Sequence, residues 1–113
     1  MARSHLSTKA VEKSTYVIAI AFTDADGTPV VPNSITWTLT DSSGNVVNSR
    51  SAVVVSPASS IDVVLSGDDL AIQRPSILGR ILTLEWVYDS SYGNNLPGKN
   101  EVTFDILPFK NVT

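Results

Sequence analysis

The stretch Phe22-Thr-Asp-Ala-Asp-Gly-Thr-Pro-Val-Val-Pro32 sets Asp24 and Asp26 two residues apart, just ahead of Gly27. Such carboxylates could ligate calcium, act as an acid–base pair, or hold backbone N–H groups in a turn. An EF-hand loop needs glycine at its sixth position and a bidentate glutamate at its twelfth. Counted from Asp24, glycine falls at the fourth position and Ile35 at the twelfth, so the pattern fails where geometry matters most. A partial calcium site built from Asp24, Asp26 and backbone carbonyls stays open. Asp-Gly between extended segments is itself a strong turn signal, because both residues tolerate left-handed backbone, and the stretch is read as a turn.

Glycoside hydrolysis needs two carboxyls about 5–9.5 Å apart across a cleft, one of them protonated in an apolar pocket. Glu85, among the apolar residues of LTLEWVYD, is the acid best placed for the protonated role, and Glu101 and Asp105 share its outward parity. Solvated residues that keep an outer sheet face polar give the same pattern, and that reading is taken. The adjacent Asp68 and Asp69 of SGDDL are expected to cap a short helical turn that Pro75 ends. With no cysteine and one histidine, His5, the chain offers no thiolate nucleophile and no Cys-ligated metal, and any Ser-His-Asp triad would have to draw on His5. No catalytic residue, metal site or cofactor site is expected.

These side chains need a frame. The 113 residues, 42% of them hydrophobic, suffice for one domain with its own core. Net charge is −3, and Arg50, Arg74, Arg80, Lys99 and Lys110 are scattered without interleaved aromatics, so nucleic acid is not an expected partner. The apolar run Tyr16–Phe22 is too short for a signal peptide and is followed by Asp24 and Asp26 rather than a small-residue cleavage site. No run of about 18 apolar residues is present to cross a membrane.

Alternation of period two dominates. Tyr16, Ile18, Ile20 and Phe22 share one face of a strand, as do Ile35, Trp37 and Leu39, with Thr36, Thr38 and Thr40 opposite. DSSGN supplies a turn; VVNSRSAVVV and SIDVVLS are strand-like runs separated by Pro57. Leu82, Leu84, Trp86 and Tyr88 line the longest strand, and Val102, Phe104 and Ile106 face inward from the last. Six to seven strands with regular turn signals predict an all-β, antiparallel sandwich or barrel. Both tryptophans fall on inward parity, so they belong to the core.

Residues 1–13 show no period and are expected to form an N-terminal arm or a peripheral strand ahead of a domain spanning 14–113. Read as an arm, the segment could be removed without unfolding the domain. Its Arg3, His5 and Lys9 are candidate partner-binding residues. The Gly- and Asn-rich stretch Ser90–Asn100 is expected to be a long loop that presents Tyr92, Asn94, Asn95 and Leu96 to a partner.

The order of VIAIAFTDADGTPVVP, SITWTLTDSSGNVV, and IDVVLSGDDLAI ahead of LTLEWVYDSS, closed by YGNNLPGKNEVTFDI, resembles the immunoglobulin-like modules of the bacterial Ig-like and fibronectin type III kind. The resemblance covers about Ser14 to Pro108, without the inter-sheet cysteine pair of antibody domains. The chain is also similar to small virion proteins of tailed bacteriophages, in particular over LTLEWVYDSSYGNNLPGKNEVTFDI. That resemblance implies an Ig-like β-sandwich without enzymatic activity or cofactor, assembled in the host cytoplasm into a virion. It would act as a capsid decoration or cement protein, or as a head or tail joining component, in contact with other virion proteins and as a homo-oligomer. The alternative is an adhesion or carbohydrate-binding module of a larger surface protein.

Overall fold

The computed structural model describes residues 2–72 and 77–108, with side chains from Ser4 onward. The Arg3 side chain, Arg74, Pro75 and Lys110 therefore lie outside the described residues. The described chain is all-β: β1 (Ala2–His5), β2 (Ala10–Val11), β3 (Thr15–Ala21), β4 (Ser34–Asp41), β5 (Val53–Val55), β6 (Ser60–Ser66), a 3-10 turn at Gly67–Leu70, β7 (Gly79–Ser90) and β8 (Gly93–Leu107). One sheet runs β1-β8-β7-β4-β5, with β2 also on β8, and the second is the pair β3-β6. All pairings are antiparallel except β1 and β2, which run parallel to β8.

Alternation sets the faces. Ile35, Trp37 and Leu39 of β4, Leu82, Leu84, Trp86 and Tyr88 of β7, and Val102, Phe104 and Ile106 of β8 are buried from the large sheet; Ile18 and Ile20 of β3 and Val63 and Leu65 of β6 meet them from the small one. Phe22 and Tyr88 flank Trp86, with ring centroids 5.1 and 4.9 Å away. Glycine is required on the neighbouring strand: a Cβ on Gly98 would lie 2.4 Å from the Trp86 ring, an overlap that no small rotation relieves.

One turn design occurs twice. In DADGT the Asp24 carboxylate accepts from the backbone N–H of Asp26 and Thr28 at 2.9 and 3.0 Å. In DSSGN the Asp41 carboxylate accepts from Ser43 and Asn45 at 2.8 and 3.0 Å. In each the fourth residue, Gly27 or Gly44, takes positive φ, 83° and 91°, where glycine has no steric penalty. The Asn45 backbone N–H, more than any other group, holds the Asp41 carboxyl below the usual range; the Asn45 amide, the Ser43 N–H and the Arg80 charge add to it against the effect of burial.

Several expectations are corrected. Residues 2–5 and 10–11 run along β8, and Ala10 is fully buried in the core. Of the two expectations for residues 1–13, an arm or a peripheral strand, the described residues show the strand: two short edge strands broken at 6–9, which is why the segment lacks a period. VVNSRSAVVV is a strand only at Val53–Val55, because Asn48, Ser49 and Ala52 adopt positive φ of 52°, 56° and 50°. For Ser49 and Ala52 that backbone costs on the order of 1 kcal/mol each and persists only where the surroundings enforce it. Around Ser49, Asp69 enforces it, its carboxylate accepting from Asn48 Nδ2 at 2.9 Å, Arg50 Nε at 2.7 Å and Ser66 N–H at 3.1 Å, while Ala52 N–H donates to Thr38 Oγ1 at 3.0 Å.

The turn at Gly67–Leu70 thus contributes a buried carboxylate that ties β6 to the irregular chain before β5. Arg80, one of the scattered basic residues, occupies an inward position at 2% exposure. Its Nη1 donates to the carbonyls of Ile77 and Gly79 at 3.0 and 2.9 Å and its Nη2 to that of Ala71 at 3.1 Å, joining both ends of the β6–β7 connection.

Asp69 makes stability pH-dependent. Burial alone would raise its carboxyl, but bonds from Arg50, Asn48 and Ser66 and the Arg50 charge outweigh that effect and hold it below the usual range. Its contribution is therefore complete above the unfolded-chain value of about 3.9 and is lost as pH falls through the lower native value. Asp69→Asn should cost about 1–3 kcal/mol at neutral pH and progressively less under acid, as read from urea midpoints across pH. A cost that stays constant down to the acid limb would contradict this.

Candidate contact site at the hairpin tip

The stretch Ser90–Asn100 is not a long loop. β7 and β8 continue pairing through Val87↔Pro97 and Tyr88↔Leu96 to Ser90↔Gly93, with a bulge between Tyr88 and Ser90. The turn is therefore Ser91-Tyr92, at the far end of a long hairpin. The missed signal was parity: Leu96, Gly98 and Asn100 stand in step with Val102, Phe104 and Ile106, so the inward alternation continues through residues whose composition says loop.

Pro97 also fits this strand. Thr103 O accepts from Leu6 N–H on the β1 side, and by alternation the backbone N of residue 97 faces that same edge. The N–H that proline lacks is therefore not needed by β7.

The tip is braced. Tyr92 is 66% exposed, yet its hydroxyl donates to Asp26 Oδ1 at 2.9 Å and its N–H to Ser90 Oγ at 3.1 Å. Asp89 Oδ1 accepts from Asn95 N–H at 2.7 Å and from Asn33 Nδ2 at 3.0 Å. The left-handed Asn95, φ 54°, is thus held from two elements. The DADGT turn and the hairpin tip lie at one end of the molecule, joined by the Tyr92–Asp26 hydrogen bond. A cleft of about 280 Å³ lies between the DADGT turn and the β7–β8 strands, lined by Ala21, Asp24, Trp86, Tyr88, Pro97 and Asn100 among others.

Tyr92, Asn94 and Asn95 therefore lie together, while Leu96 is half-buried against the core. His5 and Lys9 are elsewhere. His5 Nδ1 is 2.7 Å from Thr103 Oγ1, eight residues along β8 from Asn95, or roughly 27 Å at strand rise. Lys9 is exposed just before β2 at the other end of β8. The seven candidates are thus not one surface.

A second, shallow hollow of about 620 Å³ on the outer face of the large sheet is lined by Ser34, Thr36, Glu85, Val87, Pro97 and Lys99 as well as Trp86 and Gly98. Glu85 is exposed, and it is the only acid in that lining. Among the described residues no three His, Asp or Glu side chains gather as a metal-binding group. The chemistry available at the tip is hydrogen bonding and aromatic contact.

No family model, curated protein or solved structure matches the chain.

The hydrogen bond to Asp26 raises the Tyr92 phenol above its ordinary value, with burial and the Asp24 charge adding to it. Asp26→Asn should bring the Tyr92 ionisation back toward about 10, as followed by residue-resolved NMR titration. An unchanged Tyr92 titration would show that the brace does not hold in solution.

Proposed function

We propose that this chain is an immunoglobulin-like β-sandwich serving as a non-enzymatic structural protein of a tailed-bacteriophage virion. In this reading it is a capsid decoration protein or a head or tail joining component. Strand pairing supports the fold: β3 with β6 stands where strands B and E pair in Ig domains, β4-β7-β8 where C, F and G do, and Trp37 is buried on the strand equivalent to C. The virion role rests on the resemblance of LTLEWVYDSSYGNNLPGKNEVTFDI to such proteins.

The observation that carries contact as the mode of action is Tyr92, an exposed aromatic hydrogen-bonded to Asp26 at the end of a long hairpin. An anchor already held in place loses little side-chain freedom on binding, so more of its contact area converts to affinity. A carbohydrate-binding module would call for an aromatic platform, but Trp37 and Trp86 are in the core.

Tyr92→Ala should leave thermal unfolding unchanged and weaken co-sedimentation with particles of the encoding phage by about 2 kcal/mol or more, roughly thirty-fold. Binding equal to that of the unsubstituted chain, or absence of the protein from purified particles, would overturn the reading.

A further inference from the structure

The second sheet is two strands wide and faces a much wider one. The bonds that close its ladder at each end, Phe22 N–H to Ser59 O and Gly67 N–H to Ser14 O, continue the β3–β6 register and set its parity. Even-numbered residues of β3 bond to β6, and the N–H and C=O groups of Val17, Ala19 and Ala21 turn the other way. Among the described residues no strand pairs with that edge. The Thr23–Pro29 bridge that follows β3 bonds through Phe22 and Asp24, on the β6 side, and leaves that edge uncovered.

Natural edge strands are guarded by lysine, proline, bulges or shortness. The other edges show such devices: β5 has three residues and β1 four, the free stretch of β8 carries Pro97 and Lys99, and β6 carries exposed Asp62. β3 shows none. It is seven residues long, and the exposed side chains along it are Thr15, Val17, Ala19 and Ala21, with Val17 directly opposite the equally exposed Val64.

We propose that the β3 edge pairs with the β3 edge of a second copy of this chain across a two-fold axis, forming a continuous four-stranded sheet β6-β3-β3-β6. Antiparallel pairing centred on Ala19 sets Ala19 against Ala19 and Val17 against Ala21, so every outward N–H meets a carbonyl. No charge meets a like charge, and Ile18 of one copy adjoins Ile20 of the other on the buried face. The same operation on β6, in the register centred on its exposed acid, would bring Asp62 against Asp62. On β8 it would place Pro97, without an N–H, in the new ladder. Self-pairing by a two-fold is isologous and closes at two copies.

This surface lies on the opposite sheet from the hairpin and does not depend on the role of Tyr92. The test is amide hydrogen exchange together with light scattering on the full chain at low and high concentration. Val17, Ala19 and Ala21 amides should exchange fast when dilute and become protected as the mass rises to that of a dimer. Ala19→Lys, at an exposed position, should keep the thermal unfolding of the dilute, monomeric parent chain and weaken dimerisation at least about ten-fold, whereas Val54→Lys on β5 should not weaken it. A monomer at all concentrations, equal exchange of the three amides in both samples, or a dimer insensitive to Ala19→Lys but broken by Val54→Lys would overturn the proposal.

Discussion

The inner face of the large sheet, carrying Ile35, Trp37, Leu39, Leu82, Leu84, Trp86, Val102, Phe104 and Ile106, must be kept dry by two strands and the connections around them. Each fully buried side chain of this kind contributes about 1.5–3 kcal/mol relative to exposure, so covering that face dominates the energetics. β3 and β6 supply Ile18, Ile20, Val63 and Leu65; Ala10 from β2, Phe22 from beyond β3, Val47 and Leu70 close the remaining sides. This is why so much irregular chain is tightly specified, and why strain at Ser49 and Ala52 is tolerated. The segment that bears it places Val47 in the core and is held there by Asp69.

Polar chemistry follows the same logic. Asp24 and Asp41 hold turns, Asp69 joins a turn to the chain before β5, and Arg80 joins the ends of a connection. These charges are occupied by the fold. The outside of the described chain carries a tip bearing Tyr92, a threonine-lined sheet face, and the unguarded edge of β3.

Much of the architecture was legible because alternation and turn chemistry agree. β4 reads correctly from Ile35-Trp37-Leu39, and both Asp-x-x-Gly turns read from composition alone. Failures came where tertiary context overrides local signals. Gly93–Lys99 looks like a loop because strands rarely hold Gly, Asn and Pro, yet Gly98 is there to admit Trp86, and Pro97 sits where no N–H is needed. Arg80 sits on inward parity, but a charge was not expected to be buried, and its carbonyl partners come from Ala71, Ile77 and Gly79. At the tip, Tyr92 and the DADGT turn were each visible; their union through Asp26 spans 66 residues of sequence and has no local signature.

Both sheets share one core. Equilibrium urea unfolding tests it most directly, because Trp37 and Trp86 report the packed layer by fluorescence while far-ultraviolet circular dichroism reports the strands. One shared core predicts a single transition with coincident midpoints for both probes. Loss of the tryptophan signal at lower urea than the loss of strand signal would mean that the sheets hold together independently of that layer, and would contradict the account.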